Sequence, residues 1–148
     1  VNALLGNRVL LAALAGWIIA QLLKIPILML RRRDWHWRVI FSPGGMPSSH
    51  TAMATALTTV VAVDSGLGSP LFAACVVLTL FIIYDAGGSR RAAMRQARAL
   101  NRLIDAWIAG SPEREFERVV ELLGHEPSEV LAGLLLGLAI GWATIRFG

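Results

Sequence analysis

The chain has 148 residues, of which 55% are hydrophobic and only 16% charged, with a net charge of +4. Its mean hydropathy is +0.60 and its sequence pI about 10.6. Soluble domains carry nearer 25% charged residues, so the composition argues for an integral membrane protein and against a water-soluble enzyme or a basic nucleic-acid module. The single cysteine, Cys75, lies in an apolar run and excludes an intrachain disulfide. The first residue is Val1 and not methionine, so a few residues are expected to precede it. The first apolar stretch is too long for a signal peptide and lacks the cleavage signature.

Four apolar stretches follow one another. Residues 3–30 form the first, interrupted by Lys24 and Pro26; residues 50–63 the second; residues 70–84 the third; residues 130–145 the fourth. A span needs about 20 apolar residues, so the second and third predict a thin or tilted bundle. The run Asp64-Ser65-Gly66-Leu67-Gly68-Ser69-Pro70 is a turn between them. The fold expected is all-α: about four transmembrane helices in one domain over residues 1–148, plus a cytoplasmic amphipathic helix.

Charge placement sets the orientation. Of the fourteen Lys and Arg residues, four (Arg31, Arg32, Arg33 and Arg38) lie in the loop 31–46 and seven between residues 85 and 129. With four spans these two loops share a side, and the positive-inside rule puts that side in the cytoplasm. The protein is therefore expected in the cytoplasmic (inner) membrane, multi-pass, touching anionic lipids and no nucleic acid.

Lys24 stands near the cytoplasmic end of the first span, seven residues before Arg31. It either snorkels to the interface or points into the bundle as a phosphate clamp. Three arginines just beyond it already serve the interface, which favours the clamp. His36 lies between Trp35 and Trp37 in an interfacial aromatic belt and carries no expected chemistry.

Gly44-Gly45-Met46-Pro47-Ser48-Ser49-His50 opens the second apolar stretch. Two hydroxyls and an imidazole at a helix start suit an anion, because the first turn has N–H donors left over and the positive end of the helix dipole. Pro47 fits the first helical position, which would turn the N–H groups of Ser48, Ser49 and His50 toward an anion. The glycines let the loop pass close to it. The structural alternative is a serine cap with an interfacial histidine.

From Ser89 to Asp105, Arg91, Arg95, Arg98 and Arg102 repeat at helical spacing opposite Ala93, Ala97, Leu100 and Ile104, an amphipathic surface helix. Arg90 falls off that stripe, beside Asp85, and is the better candidate for an inward role. His125 precedes the fourth stretch, with Glu129 four residues on and Pro127 between them. A carboxylate so placed can accept the imidazole N–H and sharpen the other nitrogen as a nucleophile. An acidic residue in a first turn is also favoured by the dipole alone. Gly133, Gly137 and Gly141 let helices approach closely. Packing inside the bundle is the preferred reading, with a homodimer seam as the alternative. No HExxH or paired-Asp motif is present, so neither cofactor nor metal is expected, though Mg²⁺ between Asp85 and a substrate phosphate stays open.

These residues resemble the divergent branch of the type 2 phosphatidic acid phosphatase superfamily, related to acid phosphatases and vanadium haloperoxidases. GGMPSSHTA at 44–52, YDAGGSRRAAMRQARALN at 84–101 and LGHEPSEV at 123–130 carry the resemblance, which runs from about Lys24 to the end. The wider superfamily uses Lys-x6-Arg-Pro, Pro-Ser-Gly-His and Ser-Arg-x5-His-x3-Asp elements. Lys24 and Arg31 keep the first spacing, with Arg32 in place of proline. Pro47-Ser48-Ser49-His50 keeps the second, with serine in place of glycine. His125 and Glu129 keep the end of the third, but Val119 stands where arginine is expected and Arg118 is one residue out of register.

The resemblance implies a hydrolase of a lipid phosphate or lipid diphosphate. His125 would be the nucleophile, Glu129 its orienting partner and His50 the general acid. Lys24, Arg31, Ser48, Ser49 and one of Arg90 and Arg91 would bind the phosphate. The incomplete third element keeps a second reading in play: a lipid-phosphate binding or transport-related protein without the chemistry. A metal-dependent phosphotransferase is the third.

Overall fold

The computed structural model describes residues 6–32, 45–87, 89–109 and 127–148, without the side chains of 31–32, 87, 89–94 and 108–109. Five helices make up the described residues: α1 (Arg8–Arg32), α2 (Ser49–Asp64), α3 (Pro70–Gly87), α4 (Ser89–Ala109) and α5 (Pro127–Phe147). The described part is all-helical, as composition predicts. Asn7 caps α1, its side chain accepting from the Leu10 N–H at 3.1 Å. The helix then runs through Pro26 to Arg32 without a break, so the proline does not end it. Gly66, at a φ of 82° that suits glycine, turns the chain after α2. Ser69 then caps α3 through the Phe72 N–H, with Pro70 at the first helical position.

Small residues bring the helices together. On α1, Ala12, Gly16 and Ala20 recur every fourth residue on one buried face, and Lys24 continues the row. A Cβ on Gly16 would stand 2.9 Å from the Ala52 carbonyl oxygen, so this ridge lies directly on α2. Arg8 grips Asp64 with two hydrogen bonds, its Nε donating to Oδ2 at 2.8 Å. The contacts of Arg8 with Asp64 and of Gly16 with Ala52 make α1 antiparallel to α2.

On α5, a Cβ on Gly133 would come 2.5 Å from the Ser48 carbonyl oxygen. One on Gly137 would come 2.6 Å from that of Ala52, and one on Gly141 2.6 Å from the Thr59 Cβ. The numbers rise together, so α5 runs parallel to α2. The glycine row thus faces α2 of the same chain, which is the packing reading preferred from the sequence; a second copy could use that face only by displacing α2. Helix α3 is antiparallel to α2 and joined to it by polar contacts: Thr58 and Thr79 share a hydroxyl hydrogen bond of 2.8 Å, and Thr79 also reaches the Ala54 carbonyl. Such bonds, with small residues between helices, hold a bundle together where lipid removes the hydrophobic drive.

Large apolar side chains point outward instead. Leu14, Trp17, Ile18 and Leu22 on α1, Leu78 and Phe81 on α3, and Leu131, Leu135 and Trp142 on α5 are all exposed. Arg8–Leu30 and Pro127–Phe147 are long and apolar enough to cross a membrane, and only 22% of the apolar 18-residue stretch within each is buried by the chain. Helix α3 contributes a shorter apolar stretch, Pro70–Ala86, and α2 has 16 residues. A bundle with small and polar residues inside and large apolar ones outside is built for lipid.

Candidate phosphate site at one end of the bundle

The helix directions decide what meets where. Parallel α2 and α5 bring both N-termini to one end, and antiparallel α1 brings its C-terminal third there too. Two positive dipole ends and a lysine therefore converge.

Lys24 is the largest fully buried side chain among the described residues, 1% exposed. The ridge of Ala12, Gly16 and Ala20 directs it inward and away from lipid, so it does not snorkel. Gly45, at φ 97°, passes beside it: a Cβ there would lie 3.8 Å from the Lys24 Cδ. Glu129, in the first turn of α5, acts on Lys24 electrostatically. An ammonium held away from water needs anionic company, and the Glu129 carboxylate supplies it.

The helix at the Pro-Ser-Ser-His element starts two residues later than expected, at Ser49 instead of Pro47. Ser48, not Pro47, immediately precedes α2; it is the N-cap, and Pro47 stands before it. The Ser48 hydroxyl accepts from the Thr51 N–H at 3.4 Å and the Thr51 hydroxyl at 3.0 Å. Its backbone N–H donates to the Glu129 carbonyl at 2.9 Å. Both groups serve the fold, so Ser48 ties α2 to α5 instead of turning its N–H toward an anion. Ser49 differs. It is the first residue of the helix, wholly buried, and its hydroxyl has no hydrogen-bond partner among the described residues. A buried hydroxyl in that state costs free energy, and an anion's oxygen would satisfy it. His50 follows, half-buried in the same first turn.

Helix α5 begins at Pro127, the first-turn proline expected from the sequence. His125 lies outside the described residues, as do Gly44, His36, Arg118 and Val119, and so do the side chains of Arg31, Arg90 and Arg91. Asp85 sits half-buried in the last turn of α3, at this same end. The structure thus brings together Lys24, Gly45, Ser48, Ser49, His50 and Glu129 from three separate sequence segments. Two participants escaped sequence reasoning: Thr51, which completes the cap, and the α1 ridge that aims Lys24. The four-residue spacing of Ala12, Gly16 and Ala20 was the available signal.

A family model described as "Divergent PAP2 family" matches residues 5–140. The chain is 40% identical over 148 residues to the "Uncharacterized membrane protein YuiD" of Bacillus subtilis (strain 168), covering 93% of each sequence. No solved structure matches the chain.

Proposed function

The chain belongs to the divergent PAP2 family, and from that premise we propose that it is a membrane hydrolase of a lipid phosphate or lipid diphosphate. The observation that carries this reading is Lys24, fully buried beside Gly45 and within electrostatic reach of Glu129. A lysine kept from both lipid and water, at the meeting of two helix N-termini, is poised for phosphoryl oxygens.

In the proposed reaction, an His125 nitrogen attacks phosphorus. The N–P bond forms as the P–O bond to the lipid breaks, and His50 gives its proton to the departing lipid oxygen. Glu129, four residues on from His125 in sequence, fixes the imidazole tautomer. Lys24, the Ser49 hydroxyl, Arg31 and one of Arg90 and Arg91 hold the phosphoryl oxygens, where negative charge accumulates in the transition state. Water then attacks the phosphohistidine and cleaves the N–P bond, releasing inorganic phosphate and free His125, and His50 regains its proton from solvent. The site faces the cytoplasm, in a cytoplasmic-membrane bundle of four spans, because the basic loops 31–46 and 85–129 flank it.

Two observations favour a second reading, a protein that binds lipid phosphate without turning it over. Ser48 is committed to capping and to α5, and Val119 stands where the superfamily's third element has arginine. A phosphate-release screen of the purified protein against a panel of lipid phosphates and diphosphates, with and without chelator, separates the readings. Chelator-resistant release supports the hydrolase. Saturable binding without release supports the binder, and release abolished by chelator supports a metal-dependent phosphotransferase.

A further inference from the structure

Helix α4 leaves the bundle in an unusual state. It starts at Ser89, just after α3 ends at Gly87, and among the described elements it packs only on α3. Since α3 is antiparallel to α2, this junction lies at the Lys24 end. Around α4, Ala97 and Asn101 are buried, whereas Leu100, Leu103 and Trp107 are 48%, 67% and 60% exposed. Leu103, Ile104, Ala106 and Trp107 line an apolar hollow. Arg95, Arg98 and Arg102 are exposed on a separate face. Three exposed arginines on one helix face exclude the bilayer centre, and an exposed leucine–tryptophan stripe is a poor surface for bulk water. The headgroup layer satisfies both faces, and negative lipid charge complements the arginines.

We infer that α4 lies in the headgroup layer of an anionic leaflet at the Lys24 end of the bundle. Leu100, Leu103 and Trp107 enter the acyl region, and Arg95, Arg98 and Arg102 engage lipid phosphates. The inference is independent of catalysis. It makes α4 a surface that gathers anionic lipids beside the site.

The test is quenching of Trp107 by brominated lipid, in full-length protein reconstituted into nanodiscs of phosphatidylcholine with or without phosphatidylglycerol. Subtracting the signal of Trp107→Phe isolates this residue from the other four tryptophans. In anionic discs the Trp107 emission is blue-shifted and quenched by lipid brominated near the headgroup. Arg95→Gln with Arg102→Gln lowers that quenching by about twofold or more, and the corresponding lysine pair restores it. Absence of bromolipid quenching overturns the inference. Acrylamide access would then leave the face in water, and protection that grows with protein concentration would assign it to a second copy. Protection independent of concentration would assign it to another segment of the chain.

Discussion

The backbone N–H of Ser48 donates to the carbonyl of Glu129 at 2.9 Å, and through this bond the starts of α2 and α5 are held as one unit. Gly133, one turn beyond Glu129, permits it by leaving room for the Ser48 carbonyl. Two segments 81 residues apart in sequence thereby present their first turns to the same buried lysine.

Gly133→Ala places a methyl 2.5 Å from the Ser48 oxygen and forces the two helix starts apart. It should destabilise the protein by about 1–3 kcal/mol. Gly141→Ala, which meets Thr59 at the other end of the same contact, should cost a similar amount. Only Gly133→Ala should also weaken lipid-phosphate binding, measured in detergent beside a thermal melt. Equal binding losses in the two variants would remove the special role given to the Ser48–Glu129 link.

Lys24→Met preserves length and removes the charge. Affinity for a lipid phosphate should fall by about tenfold or more, in line with a charge-assisted contact of roughly 1.5–3 kcal/mol. The melting temperature should fall, because Glu129 loses its cationic partner. Unchanged affinity would make Lys24 a purely structural partner of Glu129.

The adjacent serines should fail differently. Ser48→Ala loses a cap and should lower stability by about 1 kcal/mol. Ser49→Ala removes a buried hydroxyl that has no partner among the described residues, so stability should hold or improve. Its lipid-phosphate affinity should drop by roughly fivefold, the equivalent of one hydrogen bond of about 1 kcal/mol. A large stability loss in Ser49→Ala would show that its hydroxyl is used by the fold.

His50→Ala tests the general acid. Hydrolysis of lipid phosphates, whose alkoxide leaving groups need a proton, should fall by about 10²–10⁴-fold. An activated aryl phosphate should be hydrolysed nearly as before. Matching losses on both substrates would reduce His50 to a shaping role.

Much of this arrangement is legible in the sequence because apolar runs and charge spacing are local properties. Helices α1, α3 and α5 fall where the runs place them, and Lys24 stands out as a cation inside one. The start of α2 is misread by two positions because proline is favoured at a first helical position and serine at the cap before it, and the sequence offers both in a row. The row Gly133, Gly137 and Gly141 announces a close approach without saying to what, since spacing carries no information about the partner helix. The Thr58–Thr79 bond and the Arg8–Asp64 clasp join residues far apart in sequence, and no local pattern marks either pair. Among the described residues, two helices are long and apolar enough to span. The four-span count adds α2 and α3, whose lengths alone do not establish it.

The most direct measurement of the central claim is incubation of the purified protein with a phosphate-labelled lipid phosphate, quenched with detergent at alkaline pH, followed by mapping of the label. The account predicts a base-stable, acid-labile phosphoryl group on His125, absent from His125→Ala and accumulating when water attack is slowed. Lipid phosphate bound tightly, with neither label on His125 nor phosphate released, would contradict it.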